Sequence, residues 1–304
     1  MKCPDMPGFS FKLPAPAPFS FRLCLDYLSG SNSECLYEVH EDHIRRLVSL
    51  AGRDVLLEVR SKDDLELVVT VLYGGPLNEA EHMEAAAYVI TWFDLNRDLD
   101  PFYRLALSDT RLAGVVRNLN GLRLMGIPDL FEALCWAILG QQVNLAFAYT
   151  LKERLTSAYG DSVPWEGSVY RRFPSPKQML AVSADELGAL KLSRMKSATI
   201  LEVARQMAAG ELSREGLLAM DSYDAMEERL VSIRGIGPWT AHYVRMRCLG
   251  DPTAFPIGDV GLHNAVKSLL SLEEKPSIDM LRELFSSWQG WEAYATFYLW
   301  RTLY

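Results

Sequence analysis

The sequence predicts an α+β protein in which an N-terminal antiparallel β-sheet domain is followed by an all-helical core. Residues 19–73 consist of short runs rich in β-branched, leucine and tyrosine residues, separated by turn signals, which is typical of β-strands. The glycines and proline at 74–76 end this pattern. Apolar residues then recur at helical spacing. We place the two domains at 1–108 and 109–304.

Bulk composition indicates a soluble globular protein. Of 304 residues, 49% are apolar and 23% are charged, as in ordinary globular domains. We expect no membrane association, because no apolar run is long enough to span a bilayer, and no signal peptide, because the N-terminus lacks an apolar segment. Five scattered cysteines, an odd number, suit a reducing cytoplasm. They provide no group of four thiols for an iron–sulfur cluster.

The predicted sheet begins after a proline-rich, irregular lead-in at residues 1–18. Residues 19–25 alternate apolar and polar side chains with period two, which predicts the first strand. Glycine, serine and asparagine at 29–33 predict a turn. Further strands are predicted at 35–39, 45–50, 54–60 and 65–73.

The helical part is bounded by recognisable caps. Asn78, Asn144 and Ser183 precede helical patterns and are good N-caps, while Ser108 or Asp109 suits another. Residues 165–172 carry no clear signal and are assigned to a loop. Helices are predicted at 79–93, 101–107, 109–117, 128–140, 145–159, 175–182, 183–190, 193–209, near 217, and at 223–232, 262–270, 278–286 and 292–303.

The most informative stretch runs from residue 231 to residue 259. Gly235 and Gly237 lie two apart in a tight turn, where glycine permits a positive φ and close approach of the backbone to a ligand. Pro238 suits the first turn of the next helix, whose free N–H groups favour an anion such as a phosphate. Asp259 follows in a proline- and glycine-rich loop. A phosphate-binding turn beside one carboxylate indicates chemistry on a nucleic acid. The alternative is an ordinary helical turn with Asp259 as an N-cap.

This combination of hairpin, proline loop and aspartate resembles the helix-hairpin-helix signature (HhH-GPD) of DNA base-excision glycosylases. Members that also cut the DNA backbone carry a lysine two residues after the second hairpin glycine. Here that position is Trp239. The resemblance therefore implies a monofunctional glycosylase of the 3-methyladenine DNA glycosylase II type. Such an enzyme flips an alkylated purine out of double-stranded DNA and hydrolyses its N-glycosidic bond in base excision repair. We expect a cytoplasmic, nucleoid-associated monomer.

The resemblance also assigns site residues position by position. Asp259 is the catalytic carboxylate. The base pocket is lined by Trp239, Tyr243, Trp300 and Tyr27. Trp239 and Tyr243 lie four residues apart and share a helix face, although aromatic residues at this spacing are equally often core residues. Gln142, on a loop between two apolar helices, fills the gap left by the flipped base, where relatives often have leucine.

Phosphate and a cation complete the implied site. Backbone N–H groups of Gly235 and Gly237, with Thr240, would hold a phosphate. The carbonyls of Val231, Ile233 and Ile236 would hold a monovalent cation, Na⁺ or K⁺; no other cofactor is expected. Gly258, Val260 and Arg301 depart from the family pattern, because the best-known members have an acidic residue and aromatic residues there. The lesion preference is therefore left open.

The net charge of −8 argues against nonspecific coating of DNA but leaves room for a local basic face. Candidate basic residues are Arg117, Arg123, Arg194, Lys196, Arg234, Arg245 and Arg247. They could equally be scattered solubilising charges. Three rival functions stay open: an oxidised-guanine glycosylase, which usually needs the missing lysine, a noncatalytic DNA-binding hairpin module, and a helical scaffold unrelated to DNA.

Overall fold

The computed structural model describes residues 9–31 and 33–303. Residues 1–8 of the predicted lead-in and Asn32 of the predicted turn lie outside them. A five-stranded sheet has the order β1-β5-β4-β3-β2, and every neighbouring pair is antiparallel. Its strands are β1 Ser10–Pro14, β2 Tyr37–Val39, β3 His43–Leu50, β4 Arg53–Arg60 and β5 Glu66–Tyr73. The predicted α+β fold is confirmed.

The strand predicted at residues 19–25 is wrong. These residues begin helix α1, Phe21–Leu28, which is capped by the Ser20 hydroxyl accepting from the Leu23 amide at 3.3 Å. Residues buried along α1 recur at helical spacing, and a short apolar run is compatible with either structure until packing decides. The edge strand β1 instead forms within the predicted irregular lead-in and pairs with β5.

Helices follow the sheet as predicted, and Asn78, Asn144 and Ser183 are confirmed as N-caps. The predicted helix at 109–117 begins only at Ala113, without a side-chain cap. The helices are α2 Glu79–Trp92, α3 Asp100–Ser108, α4 Ala113–Asn118, α5 Leu130–Gly140, α6 Leu145–Tyr159, α7 Pro176–Met179, α8 Ala184–Ala189, α9 Arg194–Ala208, α10 Arg214–Leu218, α11 Tyr223–Val231, α12 Pro238–Arg247, α13 Val260–Leu269, α14 Ile278–Ser286 and α15 Glu292–Trp300. A 3₁₀ turn, Arg301–Leu303, follows α15. Within the described part of the chain, no helix has the length and apolarity to span a membrane.

The loop predicted at residues 165–172 is also wrong. These residues contain the last residue of strand β6, Ser162–Trp165, and all of strand β7, Ser168–Arg171, and the two strands pair as a β-hairpin. The two residues between the strands both have positive φ, as hairpin turns with two-residue loops require. Val163 and Tyr170 of the hairpin pack on Leu47 and Leu56. The hairpin thus covers one face of the sheet.

Two hydrophobic cores meet at a cleft. One joins the opposite face of the sheet to helices α1–α4 and to the C-terminal helices α13–α15, and the other is built mainly from α5–α12. The chain therefore returns at its end to the half in which it started. For example, the Tyr298 hydroxyl of α15 donates to the Leu122 carbonyl at 2.7 Å. The domain boundary after residue 108 stays a prediction.

Candidate active site

The carboxylate of Asp259 is held by three N–H donors. Its Oδ1 accepts from the Leu262 amide at 2.7 Å and from Trp300 Nε1 at 2.9 Å, and its Oδ2 accepts from Trp239 Nε1 at 3.1 Å. Asp259 is thus the N-cap of α13, as the alternative interpretation expected. It also accepts hydrogen bonds from both indoles. A Cβ at Gly261 would lie 2.9 Å from Asp259 Oδ1, so this glycine keeps space beside the carboxylate.

The hairpin between α11 and α12 depends on its first glycine. Gly235 has φ +94°, and a Cβ there would lie 2.0 Å from Thr199 Oγ1, so a side chain fits neither the conformation nor the space. Gly237 has φ −101° and does not use the positive φ that glycine permits. A Cβ at Gly237 would have no atom within 4 Å among the described residues. Its surface is open to a ligand.

Three predicted pocket aromatics form a continuous wall. The ring centroids of Trp239 and Tyr243 are 5.6 Å apart, and those of Tyr243 and Trp300 are 6.2 Å apart. Trp136 Nε1 donates to the Tyr243 hydroxyl at 2.9 Å. Burial raises the pKa of Tyr243 to about 12, so it remains a neutral phenol at physiological pH.

Tyr27 reaches the same site from the opposite half of the molecule. It lies on α1, with its ring centroid 4.7 Å from that of Phe297. Tyr27, the three aromatics of the wall and Asp259 all line one cleft of ≈ 980 Å³. The structure therefore brings together every residue predicted for catalysis and for the base pocket, and their roles stay predictions.

The two adjacent glutamines differ in their surroundings. Gln142 is exposed at the cleft rim and has φ +54°. The Gln141 amide instead donates to the Gly235 carbonyl and to Thr240 Oγ1, both at 3.0 Å. The loop carrying Gln142 is thereby tied directly to the hairpin, a link that the sequence analysis missed.

The remaining hairpin groups lie at the start of α12 and the end of α11. Thr240 is 1% exposed, and its hydroxyl oxygen accepts from the Gln141 amide. Its backbone N–H lies in the first turn of α12, where helix N–H groups lack intrahelical partners. The Ile233 carbonyl accepts from the Ile236 amide at 3.0 Å and keeps a second lone pair. The Val231 carbonyl lies at the end of α11, where helix carbonyls lack intrahelical partners. The binding of a monovalent cation by the carbonyls of Val231, Ile233 and Ile236 stays a prediction.

Several basic residues suggested for DNA contact are buried instead. Arg245 is 3% exposed and pairs with Glu227 and Asp251, and Arg123 is fully buried and donates to backbone carbonyls. Lys196 is buried and donates to the Leu139 carbonyl at 2.7 Å. Charge counts alone could not separate these structural cations from surface ones. Arg117, Arg194 and Arg234 are exposed.

Arg247 lines the cleft, whereas the sequence analysis named it only among the candidate residues of a basic face. Its guanidinium is buried, donates to the Tyr243 hydroxyl at 3.1 Å and to the Met125 carbonyl at 2.6 Å, and lies 5.5 Å from the Tyr27 ring centroid. Its position four residues after Tyr243 could have indicated the shared helix face.

A buried ion-pair cluster lines the cleft beneath the sheet. Arg46 of β3 pairs with Glu132 of α5, and Lys152 of α6 donates to both carboxylate oxygens of Glu34 at 2.9 Å. Burial raises the pKa of Glu132. Nothing in the sequence pattern indicated that these four residues meet.

Comparison with known proteins gives consistent matches. A family model described as HhH-GPD superfamily base excision DNA repair protein matches residues 135–290, and one described as 8-oxoguanine DNA glycosylase, N-terminal domain, matches residues 17–134. The chain is 44% identical to a DNA-3-methyladenine glycosylase of Bacillus subtilis over 95% of each chain. It is 28% identical to DNA-3-methyladenine glycosylase 2 of Escherichia coli over 60% of this chain and 61% of that one. Its fold matches a 3-methyladenine DNA-glycosylase from Archaeoglobus fulgidus with a TM-score of 0.83 at 24% identity, covering 95% and 97% of the chains.

Proposed function

The chain belongs to the HhH-GPD superfamily of base excision DNA repair proteins, and we propose that it is a monofunctional DNA glycosylase for alkylated purines such as 3-methyladenine. The observation that carries this proposal is the Asp259 carboxylate, fixed by Trp239, Trp300 and a helix N-terminus at an aromatic cleft. Relatives named for 3-methyladenine excision support the substrate class.

The chemistry follows from where the carboxylate sits. A purine flipped from the duplex enters the cleft, against the wall of Trp239, Tyr243 and Trp300. As the N-glycosidic bond breaks, its electrons pass to the base nitrogen and positive charge builds on the sugar. The Asp259 carboxylate stabilises that charge and accepts a proton from the water that attacks the sugar carbon. An alkylated cationic base leaves as a neutral molecule and needs no second acid.

A covalent amine mechanism has little support in the cleft. Trp239 stands where bifunctional relatives carry lysine, and its indole orients Asp259. Among the described residues that line the cleft, the one lysine is Lys152. Its ammonium is held by Glu34 and lies 5.3 Å from the Trp136 ring centroid. Hydrolysis that leaves an abasic site is the mechanism these contacts favour.

DNA is held by the hairpin and by the loop tied to it. The open backbone at Gly237 and the free N–H groups at the start of α12 suit a phosphate, and the carbonyls at the end of α11 suit a bridging monovalent cation. Gln142, at the rim, fills the gap left by the flipped base. All of these groups come from one chain, so a monomer suffices. With double-stranded DNA as its substrate, we propose that it acts at the cytoplasmic nucleoid.

The test is base release from dimethyl-sulfate-treated duplex DNA by the wild type and by Asp259→Asn, with borohydride present to trap an amine adduct. We expect free methylated purines from the wild type and no trapped adduct. Asn keeps the size and the N-cap but loses the charge, so release should fall about a hundred- to thousandfold. Asp279→Asn, which neutralises an exposed carboxylate on α14, is the matched control and should match the wild type.

The rival functions give different results. Release of oxidised guanine but not of methylated purines would favour the oxidised-guanine glycosylase. The N-terminal family model that matches this chain is named for such an enzyme. Binding of duplex DNA with no release of any base by the wild type would favour a noncatalytic module. A trapped adduct would require an amine nucleophile and would contradict the monofunctional mechanism.

A further inference from the structure

The first turn of α9 is held between the hairpin and the rim loop that carries Gln142. Lys196 Nζ donates at 2.7 Å to the Leu139 carbonyl, which lies in the last turn of α5 just before that loop. The Thr199 hydroxyl, about one turn further along α9, donates at 3.2 Å to the Arg234 carbonyl of the hairpin. The start of α9 therefore lies next to both elements that are proposed to bind DNA.

Two arginines at this junction have free guanidiniums. Arg194 is the first residue of α9, and Arg234 lies in the hairpin directly before Gly235. Both side chains are exposed, and neither forms a hydrogen bond or an ion pair with residues 9–31 and 33–303. Because side chains tilt toward the N-terminus of a helix, that of Arg194 extends beyond the start of α9. Both guanidiniums are therefore accessible to a ligand that approaches from solvent.

Other arginines of the helical half are already paired with carboxylates. Arg205, on the same helix, pairs with Glu202 at 2.9 Å and with Glu211 at 3.0 Å. The guanidinium of Arg245 on α12 is buried and pairs with two carboxylates. The chain as a whole carries a net charge of −8, which opposes the approach of DNA. Unpaired cations beside the hairpin are thus the groups that can offset this repulsion.

We propose that Arg194 and Arg234 bind backbone phosphates of the duplex beside the hairpin, which makes the start of α9 a further DNA-contacting element. A guanidinium matches the geometry of a phosphate and forms charge-assisted hydrogen bonds with it. Contacts of this kind position the duplex and carry no sequence information, so the two arginines add affinity for damaged and undamaged DNA alike. This inference rests on the proposed glycosylase function and adds a contact surface for the same DNA partner.

The experiment measures how strongly Arg194→Gln, Arg234→Gln and the double variant bind a duplex with a tetrahydrofuran abasic analogue at a series of salt concentrations. Glutamine is a good helix former, so the fold should be kept. Each lost phosphate contact should reduce the slope of log affinity against log salt concentration by about 0.9, and the double variant should lose about twice as much. We expect the same reductions on an undamaged duplex. In single-turnover release of 7-methylguanine, the enzyme concentration that gives the half-maximal rate should rise.

Two control variants separate a phosphate contact from a change in net charge. Arg205→Gln removes one exposed charge from the same helix, about three turns further along it. Arg117→Gln removes one exposed charge from α4, in the other half of the molecule. Both controls should keep the wild-type slope, whereas Arg194→Gln and Arg234→Gln should not. Equal slopes for all four single variants, whether reduced or unchanged, would overturn the inference.

Failure of the inference is distinct from failure of the proposed function, because binding to the abasic analogue requires no cleavage. If the wild type releases methylated purines and both arginine variants keep its slope, the protein remains a glycosylase and the proposed contact at α9 is wrong. If the variants lose slope as expected but the wild type releases no base, the contact is supported and the proposed catalysis is contradicted.

Discussion

The two walls of the cleft are built in different ways. The helical wall takes Trp239 and Asp259 from one short stretch of chain, and their contact spans only 20 residues. The opposite wall takes Tyr27 from α1 and Arg46 from β3, and Arg46 reaches its partner Glu132 across 86 residues. Chemistry is thus concentrated in a local motif, while the depth and charge of the pocket depend on long-range packing. The walls should therefore respond differently to substitution.

Among substitutions in the two walls, we expect Arg46→Met to have the largest effect on stability. It leaves Glu132 buried without its main partner, which typically costs about 3–5 kcal/mol of unfolding free energy. The double variant Arg46→Met/Glu132→Leu removes both charges and should recover much of that loss. Chemical denaturation of the wild type, the single variant and the double variant measures the free energy of unfolding of each. Equal stability of the single and double variants would mean that the sheet-side wall does not depend on this pair.

An intermediate effect is expected at the hairpin, where the two glycines should behave differently. Gly235→Ala forces a side chain into a positive φ and against Thr199, so we expect a loss of about 1–3 kcal/mol in stability. Gly237→Asp places a good N-cap residue in open space. It should keep stability but weaken DNA binding, since a carboxylate about 4 Å from a phosphate costs about 1 kcal/mol or more.

Gly237→Asn is the neutral control for Gly237→Asp, because both side chains cap helices well. The difference between them in affinity for duplex DNA, measured at two salt concentrations, isolates the charge. If the Gly237→Asp and Gly237→Asn variants bind DNA equally well, no phosphate approaches Gly237 and the proposed phosphate-binding site is wrong.

The smallest effect is expected from Gln141→Leu, which cuts the link between the rim loop and the hairpin. It leaves the Gly235 carbonyl and the Thr240 hydroxyl without this donor, which should lower the free energy of unfolding by about 1–2 kcal/mol. We expect a lower unfolding temperature and weaker binding to a duplex with an abasic analogue. Gln142→Leu, on the neighbouring exposed residue, should keep the stability of the wild type. Identical behaviour of the two variants would contradict separate roles for the glutamines.

Local signals predicted much of the fold. Strands β3 to β5 and the caps Asn78, Asn144 and Ser183 were predicted correctly because alternation and capping act over a few residues. Residues 19–25 were assigned to a strand, but residues 21–25 belong to helix α1, because a short apolar run satisfies either period. The β6–β7 hairpin was missed although Glu166 and Gly167 supply its turn.

By itself, the sequence determined the hairpin, the aspartate after it and the tryptophan in the place of lysine, since all three lie in one contiguous motif. Tertiary structure alone decided that Arg247 is buried in the pocket wall, that Gln141 bonds to the hairpin, and that Arg301 faces Tyr27. Whether a cation meets a carboxylate, an aromatic ring or solvent depends on residues far apart in the chain. Composition and periodicity describe each segment separately, and only folding brings the charges of distant segments into contact.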